Sequence, residues 1–377
     1  MSAELIEHRI GSLRWLVARG ERRAVFLALA EQTRQEIRDL VREMPEVAGL
    51  RSRIRDSARV ARKFRGVAEA SSRRHPAAHA ELRSLAEGAA VDFEDLQLLT
   101  LRADLGQEND PDPAGGLECS DVAMADGTSL IWAHNEDGNP ALGQRSVLLT
   151  LQVEDDPGVT SWWYPGFLPG NTFTVSECGL AWGIDHLPVL DPPLLPGRGF
   201  VARDLQRCSS LDGMTSYLIS HPAAGGFAYT VCDLDKARVV AVESAAGAMA
   251  LTRADPVRSP LFWHTNHFRY LSLAEAADGS GNSHMRGMLL DSIAHQDVDR
   301  ELLLRVLARD PLPDGVRAMG KEGPVTLSTL VVDREAGLAA LAFSAGDLAV
   351  LPVQDLIAGD ASRAVTSRVR DSGGPAA

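Results

Sequence analysis

Residues 119–137 read CSDVAMADGTSLIWAHNED, and this stretch decides the fold prediction. Apolar and polar side chains alternate on both sides of Asp126-Gly127, a dipeptide that favours tight turns. Two period-two segments around such a turn predict a β-hairpin. We therefore expect Cys119 to stand at the start of the first strand.

The chain before this hairpin has a different composition. Residues 106–118 (GQENDPDPAGGLE) are rich in Gly, Pro and Asp without apolar periodicity, which predicts a loop or linker. Residues 78–105 predict two helices that break near Gly88 and restart at Asp92. Residues 3–45 place apolar side chains at helical intervals, so helices are expected at the front end as well.

After the hairpin, strand and helix patterns follow one another irregularly. Strands are predicted at 146–153, 172–176, 180–184, 227–232, 239–244, 328–333 and 338–343, and helices at 200–219, 282–294 and 300–307. Strands in hairpins with helices inserted in pairs indicate an α+β fold of sheet layers covered by helices, rather than a doubly wound parallel sheet. The tail, 361–377, is rich in Ser, Arg and Gly and is expected to be disordered.

The composition is typical of a globular protein with reduced thiols. The 377 residues are 45% hydrophobic and 24% charged, and no apolar run reaches the roughly 20 residues that a membrane-spanning helix needs. The N-terminal sequence has no apolar core of the signal-peptide type, so we expect a cytoplasmic protein. Four irregularly spaced cysteines fit neither a disulfide framework nor a CxxC metal site.

The net charge of −13 is unevenly distributed. Residues 1–90 are net basic and the rest is strongly acidic, so nucleic acid is not an expected partner, because phosphate binding needs a concentrated basic surface. In residues 51–65 (RSRIRDSARVARKFR), arginines recur among apolar residues at helical spacing. This spacing favours the solvated face of an amphipathic helix; the alternative is a surface for a membrane or an acidic partner.

The position of Cys119 favours chemistry over packing. A structural cysteine normally lies deep within a strand or helix, whereas Cys119 directly follows the linker. If the Glu118-Cys119 bond were cut, the new α-amino group, with an ordinary pKa of about 8, would lie beside the thiol as its general base. Asp137, across the predicted hairpin, could hold that amine and tune both pKa values.

Three motifs in a fixed order carry a family resemblance. They are ECSDVAMADGTSLIWAHNEDGNP (118–140), FWHTNHF (262–268) and NSHMRGMLLDSI (282–293). Together they resemble the acyl-CoA:6-aminopenicillanate acyltransferase family of N-terminal-nucleophile (Ntn) hydrolases. The upstream helix pair and GFAYTVCDLDKARVVAVE (226–243) extend the likeness over residues 78–345. The resemblance implies a four-layer αββα sandwich and self-cleavage between Glu118 and Cys119.

The family pattern also implies roles for individual residues. It makes Cys119 the nucleophile and Asp137 its partner carboxylate. Asn266 becomes the oxyanion-hole donor, a role that is worth about 3–4 kcal/mol in comparable sites. Arg286 and Ser283 match a Ser and an Arg that the family keeps near the site, and the guanidinium could anchor Asp137 or a substrate carboxylate.

Some positions concern the substrate. Glu118 stands where relatives often carry a small residue. Ser176 and Asp185 replace frequent asparagines, so substrate contacts are expected to differ there. Within SWWYPGFLPG (161–170), Tyr164 and Phe167 belong either to a turn packed on the core or to the wall of an apolar acyl pocket.

No metal site or cofactor is predicted. His264 and His267 form an HxxH pair, but no Cys or acid cluster completes four ligands, and Asn266 between them already has an implied role. The cysteines other than Cys119 lie among apolar residues and are interpreted as small core side chains; they are Cys178, Cys208 and Cys232.

The chain is thus predicted to be a self-processing enzyme of four segments. These are a helical extension (1–75), pre-nucleophile helices with the cleavage linker (76–118), a catalytic core (119–360) and the tail. The cleaved chains would stay associated, and a homo-oligomer is left open. The mature thiol would attack a small-molecule acyl amide or acyl thioester and pass the acyl group to water or an amine. Two alternatives stand beside this amidohydrolase: an acyl-CoA-dependent N-acyltransferase, and an inactive relative that binds a partner through its basic front end.

Overall fold

Two β-sheets form the centre of the molecule. The computed structural model describes residues 3–106, 119–258, 260–274, 281–320, 323–343 and 346–368. The strands are β1 (Glu4–Ile10), β2 (Leu13–Gly20), β3 (Ser120–Ala125), β4 (Leu130–Gly138), β5 (Val147–Val153), β6 (Val159–Trp163), β7 (Thr174–Ser176), β8 (Leu180–Leu187), β9 (Gly226–Asp233), β10 (Arg238–Ala245), β11 (Ala248–Arg253), β12 (Leu261–His264), β13 (Val325–Asp333), β14 (Leu338–Phe343), β15 (Asp347–Pro352) and β16 (Val365–Arg368). They pair in the orders β1-β2-β5-β6-β7-β8-β9-β10-β11 and β12-β3-β4-β13-β14-β15-β16.

The pairing of these strands is antiparallel except between β2 and β5, which run parallel. Strands β3 and β4 form the predicted hairpin, and residues 126–129 connect them. Asp126 Oδ1 closes this turn by accepting from the N–H groups of Thr128 (2.9 Å) and Ser129 (2.7 Å). The resulting register pairs Ser120 with Asn135, and it fixes which side chains face each other next to Cys119.

Helices cover the outer faces of both sheets. They are α1 (Arg22–Gln32), α2 (Arg34–Glu43), α3 (Pro45–Asp56), α4 (Ala58–Arg74), α5 (Pro76–Ala89), α6 (Phe93–Leu101), α7 (Pro140–Gly143), α8 (Arg198–Leu205), α9 (Leu211–Ser220), α10 (Gly281–Ser292), α11 (Arg300–Leu303) and α12 (Val353–Ala358). Short 3₁₀ turns follow α6 and α10, and a π turn follows α11. Within the described ranges, no helix combines the length and apolar character needed to cross a bilayer.

Side-chain alternation gives each sheet an inner and an outer face. The outer face of the nine-stranded sheet packs on α8 and α9, where Trp182 and Leu218 share one apolar cluster. The outer face of the seven-stranded sheet packs on α10 and α11, where Val331 and Leu303 share another. The inner faces meet where β3 and β4 contact β8. This helix–sheet–sheet–helix layering confirms the predicted α+β, αββα fold.

The start of the chain differs from its prediction. Residues 4–20 form a β-hairpin, so the helical prediction is wrong there. Gly11 makes the turn with a left-handed φ of +58°. Residues 15–18 of β2 are all buried, and Trp15 Nε1 donates to Thr150 Oγ1 on β5 at 2.9 Å. Burial and pairing in a sheet thus outweigh a helix-compatible local pattern, and the hairpin is the edge of the nine-stranded sheet rather than an appendage.

Two smaller predictions also change. The helix predicted at 200–219 is interrupted between α8 and α9, where Ser210 Oγ caps α9 by accepting from the N–H of Gly213 at 3.1 Å. The tail prediction is wrong at Val365–Arg368, because these residues pair with β15 as β16. Residues 369–377 lie outside the described residues.

Candidate active site

Cys119 immediately precedes β3 and lies between the two sheets. Its side chain is 4% exposed, and its Sγ lies 3.5 Å from Oε2 of Glu136 on β4. The register explains this contact, because Cys119 and Glu136 come next after the pair Ser120–Asn135. The hairpin therefore directs the thiol and a carboxylate to the same point. Glu118 falls outside the described residues.

Glu136 is held by buried polar groups on both carboxylate oxygens. The Tyr164 hydroxyl donates to Oε1 at 2.7 Å, and His134 Nε2 lies 3.0 Å from Oε2. The sequence patterns named Tyr164 but neither Glu136 nor His134. Their positions follow from the hairpin register, which depends on a turn of four residues.

Asp137 projects to the opposite side of β4 from Glu136. Its Oδ1 accepts from Asn135 Nδ2 at 2.8 Å and from Thr326 Oγ1 at 2.6 Å. The carboxylate in contact with Cys119 Sγ is thus that of Glu136. The role of Asp137 as partner of a new α-amino group stays a prediction.

Arg286 brings two other implied catalytic residues, Cys119 and Asn266, together. This buried side chain of α10 donates from Nη1 to the carbonyl oxygen of Cys119 at 2.5 Å and to Ser120 Oγ at 2.8 Å. From Nη2 it donates to Asn266 Oδ1 at 2.9 Å. Asn266 Nδ2 in turn donates to the carbonyl oxygen of His186 at 3.1 Å. One guanidinium therefore fixes the nucleophile's backbone and the amide of Asn266 relative to each other.

A narrow cavity of about 30 Å³ lies beside Cys119 and Glu136, with room for roughly one water molecule. Its other lining residues are Thr100, Arg102, Tyr164, Phe167, Leu168, Asn171, Ile184, His186, Arg198, Gly199 and Phe227. Aromatic rings and guanidinium groups meet in this wall, because Arg102 lies over the Phe167 ring (4.7 Å) and Arg198 over the Phe227 ring (4.2 Å). Sequence reasoning missed both arginines, which come from distant segments without a motif.

The remaining predicted substrate residues lie elsewhere. Ser283 Oγ contacts His267 Nδ1 at 2.9 Å and Thr265 Oγ1 at 3.0 Å. Ser176 Oγ accepts from the N–H of Cys178 at 3.2 Å in the turn after β7. Asp185 is buried between the sheets beside His264. Among the described lining residues of the cavity, Tyr164 and Phe167 are present and these three are not.

Burial controls the protonation of this site. It raises the pKa of the Cys119 thiol far above its ordinary value, and the charge of Glu136 raises it further, whereas His134 opposes the shift. Burial, together with the charges of Arg198 and Arg102, lowers the pKa of His186 well below its ordinary range. Burial also lowers the pKa of Arg198 to about 10, which still leaves it charged at neutral pH. The thiol is therefore protonated at neutral pH and needs a base to become a nucleophile.

Residues 123–301 match the acyl-coenzyme A:6-aminopenicillanic acid acyl-transferase family. The match confirms the family resemblance drawn from the sequence motifs. It covers Asp137, Asn266, Ser283 and Arg286, and it begins four residues after Cys119. The acyl-transferase match thus includes Glu136, Asn266 and Arg286 but not Cys119 itself.

Solved structures of two enzymes also resemble the chain. A single-residue variant of conjugated bile acid hydrolase from Clostridium perfringens is 11% identical, with 67% of this chain and 98% of that chain covered at a TM-score of 0.41. Penicillin V acylase from Agrobacterium tumefaciens is 12% identical, with 63% and 87% covered at a TM-score of 0.42. No curated protein sequence matches the chain. The likeness to the acyl-transferase family thus depends on residues 123–301.

Proposed function

We propose that this protein is a cysteine amidohydrolase or acyltransferase that cuts its own chain before Cys119 and uses that residue as an N-terminal nucleophile. The observation that carries the proposal is the position of Cys119. Its thiol lies at a cavity, in contact with Glu136, while Arg286 holds its carbonyl oxygen. The acyl-transferase family match supports acyl transfer as the reaction class.

Self-cleavage would proceed through a thioester. Sγ of Cys119 attacks the carbonyl carbon of residue 118, and its proton passes to a base, for which Glu136 is in contact. The bond to the nitrogen of Cys119 breaks as this nitrogen takes up a proton. Water then hydrolyses the thioester, which leaves a carboxyl group on residue 118 and a free α-amine on Cys119.

The new α-amine would supply the base for turnover. Its ordinary pKa of about 8 is close to neutral pH, so it can take the thiol proton when Sγ attacks a substrate carbonyl. Asn266 would stabilise the oxyanion: one N–H of its amide donates to His186, and the second N–H would donate to the substrate oxygen. Arg286 fixes this amide through Oδ1. The acyl-enzyme then passes its acyl group to water or to an amine.

The structure of the precursor supports association of the cleaved chains. Residues 1–118 contribute β2, and residues 119–377 contribute β5, and these two strands pair directly. Ion pairs also cross the cut, such as Glu81 with Arg203 at 2.7 Å. We therefore expect the two products to elute together in gel filtration.

Trapping of the acyl-enzyme tests the nucleophile. Purified protein is incubated with a small library of N-acyl amides and weighed by mass spectrometry after rapid acid quenching. We expect an acyl adduct on a chain that begins at Cys119, no adduct on Cys119→Ala, and an unchanged adduct on Cys178→Ala, which removes another free thiol. An adduct that persists in Cys119→Ala would contradict the assignment.

Hydrolysis and transfer share this intermediate, so a second measurement separates them. The acyl donor, either an amide or an acyl-CoA thioester, is supplied with and without a panel of amines. Amide product above the hydrolysis background would establish transfer, which is the reaction that the family's name describes. Free acid alone would establish the hydrolase.

A further inference from the structure

A second group of charged side chains lies between the sheets, behind Cys119 and outside its cavity. Asp121 (β3), His134 (β4) and His264 (β12) come from the seven-stranded sheet, and Asp185 (β8) comes from the nine-stranded sheet. All four are fully buried. The proposed catalytic steps use none of them directly, so their burial needs another explanation.

The four side chains face one another in two matched pairs. His134 Nδ1 lies 3.2 Å from Asp121 Oδ2, and His264 Nδ1 lies 3.2 Å from Asp185 Oδ2. Ligand atoms of Asp121, His134 and Asp185 all lie within 4.8 Å of one another. Donor atoms from β3, β4 and β8 thus converge on one point between the sheets, and His264 of β12 lies beside Asp185.

Several polar atoms at this point make no hydrogen bond within the described chain. They are Asp121 Oδ2, His134 Nδ1, both carboxylate oxygens of Asp185, and His264 Nδ1. The two 3.2 Å pairs are close, but they lie outside hydrogen-bond geometry. Leaving even one buried polar group unsatisfied costs about 1–3 kcal/mol, and a buried charge costs more. A cation at this point would bind atoms of Asp121, His134 and Asp185 together.

The other polar atoms of Asp121, His134 and His264 have close partners. His134 Nε2 lies 3.0 Å from Glu136, and His264 Nε2 lies 2.9 Å from Glu243. Trp132 Nε1 donates to Asp121 Oδ1 at 2.9 Å. With an ion bound, the carboxylate on one imidazole nitrogen would hold the proton there, and the other nitrogen would be free to bind the ion. This arrangement recurs around histidines that bind metals.

We propose that Asp121, His134 and Asp185 form a structural site for a divalent transition metal ion, and that the ion is Zn²⁺. An imidazole and two carboxylates suit Zn²⁺ among the common metals. In a tetrahedral site with bonds of about 2.0–2.1 Å, neighbouring ligand atoms are about 3.3 Å apart, close to the 3.2 Å between His134 Nδ1 and Asp121 Oδ2. Two carboxylates would also neutralise the ion.

The backbone leaves room for this group. Gly183 of β8 faces the site, and a Cβ there would lie 2.1 Å from Asp121 Oδ1 and 2.3 Å from His134 Nδ1. The ion would tie the two sheets together and hold Glu136 in place through His134.

Metal analysis of the full-length protein tests the proposal independently of the proposed enzyme activity. Protein from zinc-supplemented cells, and protein unfolded and refolded with Zn²⁺, is measured by inductively coupled plasma mass spectrometry. We expect about one zinc per chain. We also expect at least a tenfold loss in Asp185→Asn and in Asp121→Asn. Wild-type protein with less than about a tenth of an equivalent of any divalent transition metal would overturn the proposal, as would folded variants that keep full zinc.

Two controls locate the ion. Asp233→Asn changes an ion-paired, buried aspartate of β9 in the same way and should keep its zinc. Cys119→Ala should also keep it, although Cys119, His134 and Glu136 form a neighbouring group of ligand type. If the aspartate variants fail to fold, zinc-edge X-ray absorption of the wild type decides: nitrogen and oxygen ligands alone support the site. A sulfur shell near about 2.3 Å would place the ion at Cys119 and contradict it.

Discussion

Arg286 connects the groups that the catalytic proposal needs. It binds the carbonyl oxygen of Cys119, Ser120 Oγ and Asn266 Oδ1 with one planar fork. A lysine keeps the charge but cannot reach all three acceptors, since its ammonium is a single point on a flexible stem. The contribution of Arg286 is therefore geometric as well as electrostatic.

Arg286→Lys should slow self-cleavage by about tenfold or more, because Cys119 and Asn266 lose their common anchor. The measurement is a time course of the uncut chain on denaturing gels after synthesis in vitro. Arg253→Lys, at an exposed position of β11, serves as the matched control and should be processed like the wild type. Wild-type cleavage in Arg286→Lys would contradict this role.

At the scale of single residues, the sequence identified the thiol and several residues near it, but not the carboxylate that contacts the thiol. Motifs pointed to Cys119, Asn266 and Arg286, and the structure brings these three together. They did not point to Glu136, since the facing residue depends on whether the hairpin turn has two residues or four. A change of turn length shifts every cross-strand pair, and alternation alone cannot determine it.

At the scale of elements, a partly buried ionic cluster ties the front helices to the sheets. Arg22, at the start of α1, donates to both oxygens of Asp156 in the β5–β6 turn at 2.7 and 2.8 Å. Arg207, just after α8, lies 3.3 Å from the same carboxylate. Glu81 of α5 accepts from both arginines. Burial alone would raise the pKa of Asp156, but Arg22, Arg203 and Arg207 hold it below its ordinary value.

Asp156→Asn should lower the free energy of unfolding by about 2 kcal/mol at pH 7, because it leaves buried guanidinium groups short of a charge partner. The folded-state pKa of Asp156 is depressed, so its stabilisation is present above the unfolded pKa of about 4 and disappears as pH falls through the folded value. The difference between the two proteins should therefore shrink towards pH 3.

Urea unfolding at pH 7, 5 and 3 measures this difference. Asp155→Asn is the matched control: Asp155 is exposed and has a φ of +67°, which asparagine tolerates well, so stability should hardly change. An Asp156→Asn protein as stable as the wild type at pH 7 would show that the cluster contributes nothing.

The elements were predicted unevenly. Strands around the hairpin and after it were found because alternation is a local signal. The strands within residues 4–20 were not found, because the apolar positions there fit a helix as well as a strand that is buried on both faces. Their strand state depends on pairing between Leu13–Gly20 and Val147–Val153, which are more than a hundred residues apart. Local pattern carries no information about such a partner.

On the scale of the whole molecule, the approach of the two sheets depends on a glycine. Gly183 lies opposite Asp121 and His134, and no side chain fits there. Gly183→Ala should therefore destabilise the protein by about 3 kcal/mol or more, or prevent folding, because the sheets must move apart. Thermal unfolding followed by circular dichroism measures the change.

Gly49→Ala is a control that should change the stability of the protein in the opposite direction. Gly49 lies in α3 with nothing within 4 Å of an added Cβ, so alanine should stabilise the protein by up to about 1 kcal/mol. A Gly183→Ala protein that melts at the wild-type temperature would mean that the inner faces are not closely packed at this point.

The αββα arrangement was expected from the family motifs, and the strand pairing and helix packing confirm it. The charged interior between the sheets was not expected. Asp121, His134, Asp185 and His264 are scattered along the chain, and only the stacking of two sheets assembles them. A site made by tertiary packing leaves no spacing pattern in the sequence.

The central claim is that Cys119 becomes a chain start, and intact mass spectrometry of freshly purified, catalytically active protein tests it most directly. We predict two species, residues 1–118 and residues 119–377, with Cys119→Ala remaining a single 377-residue chain. Active protein in which residues 118 and 119 are still joined would contradict the account.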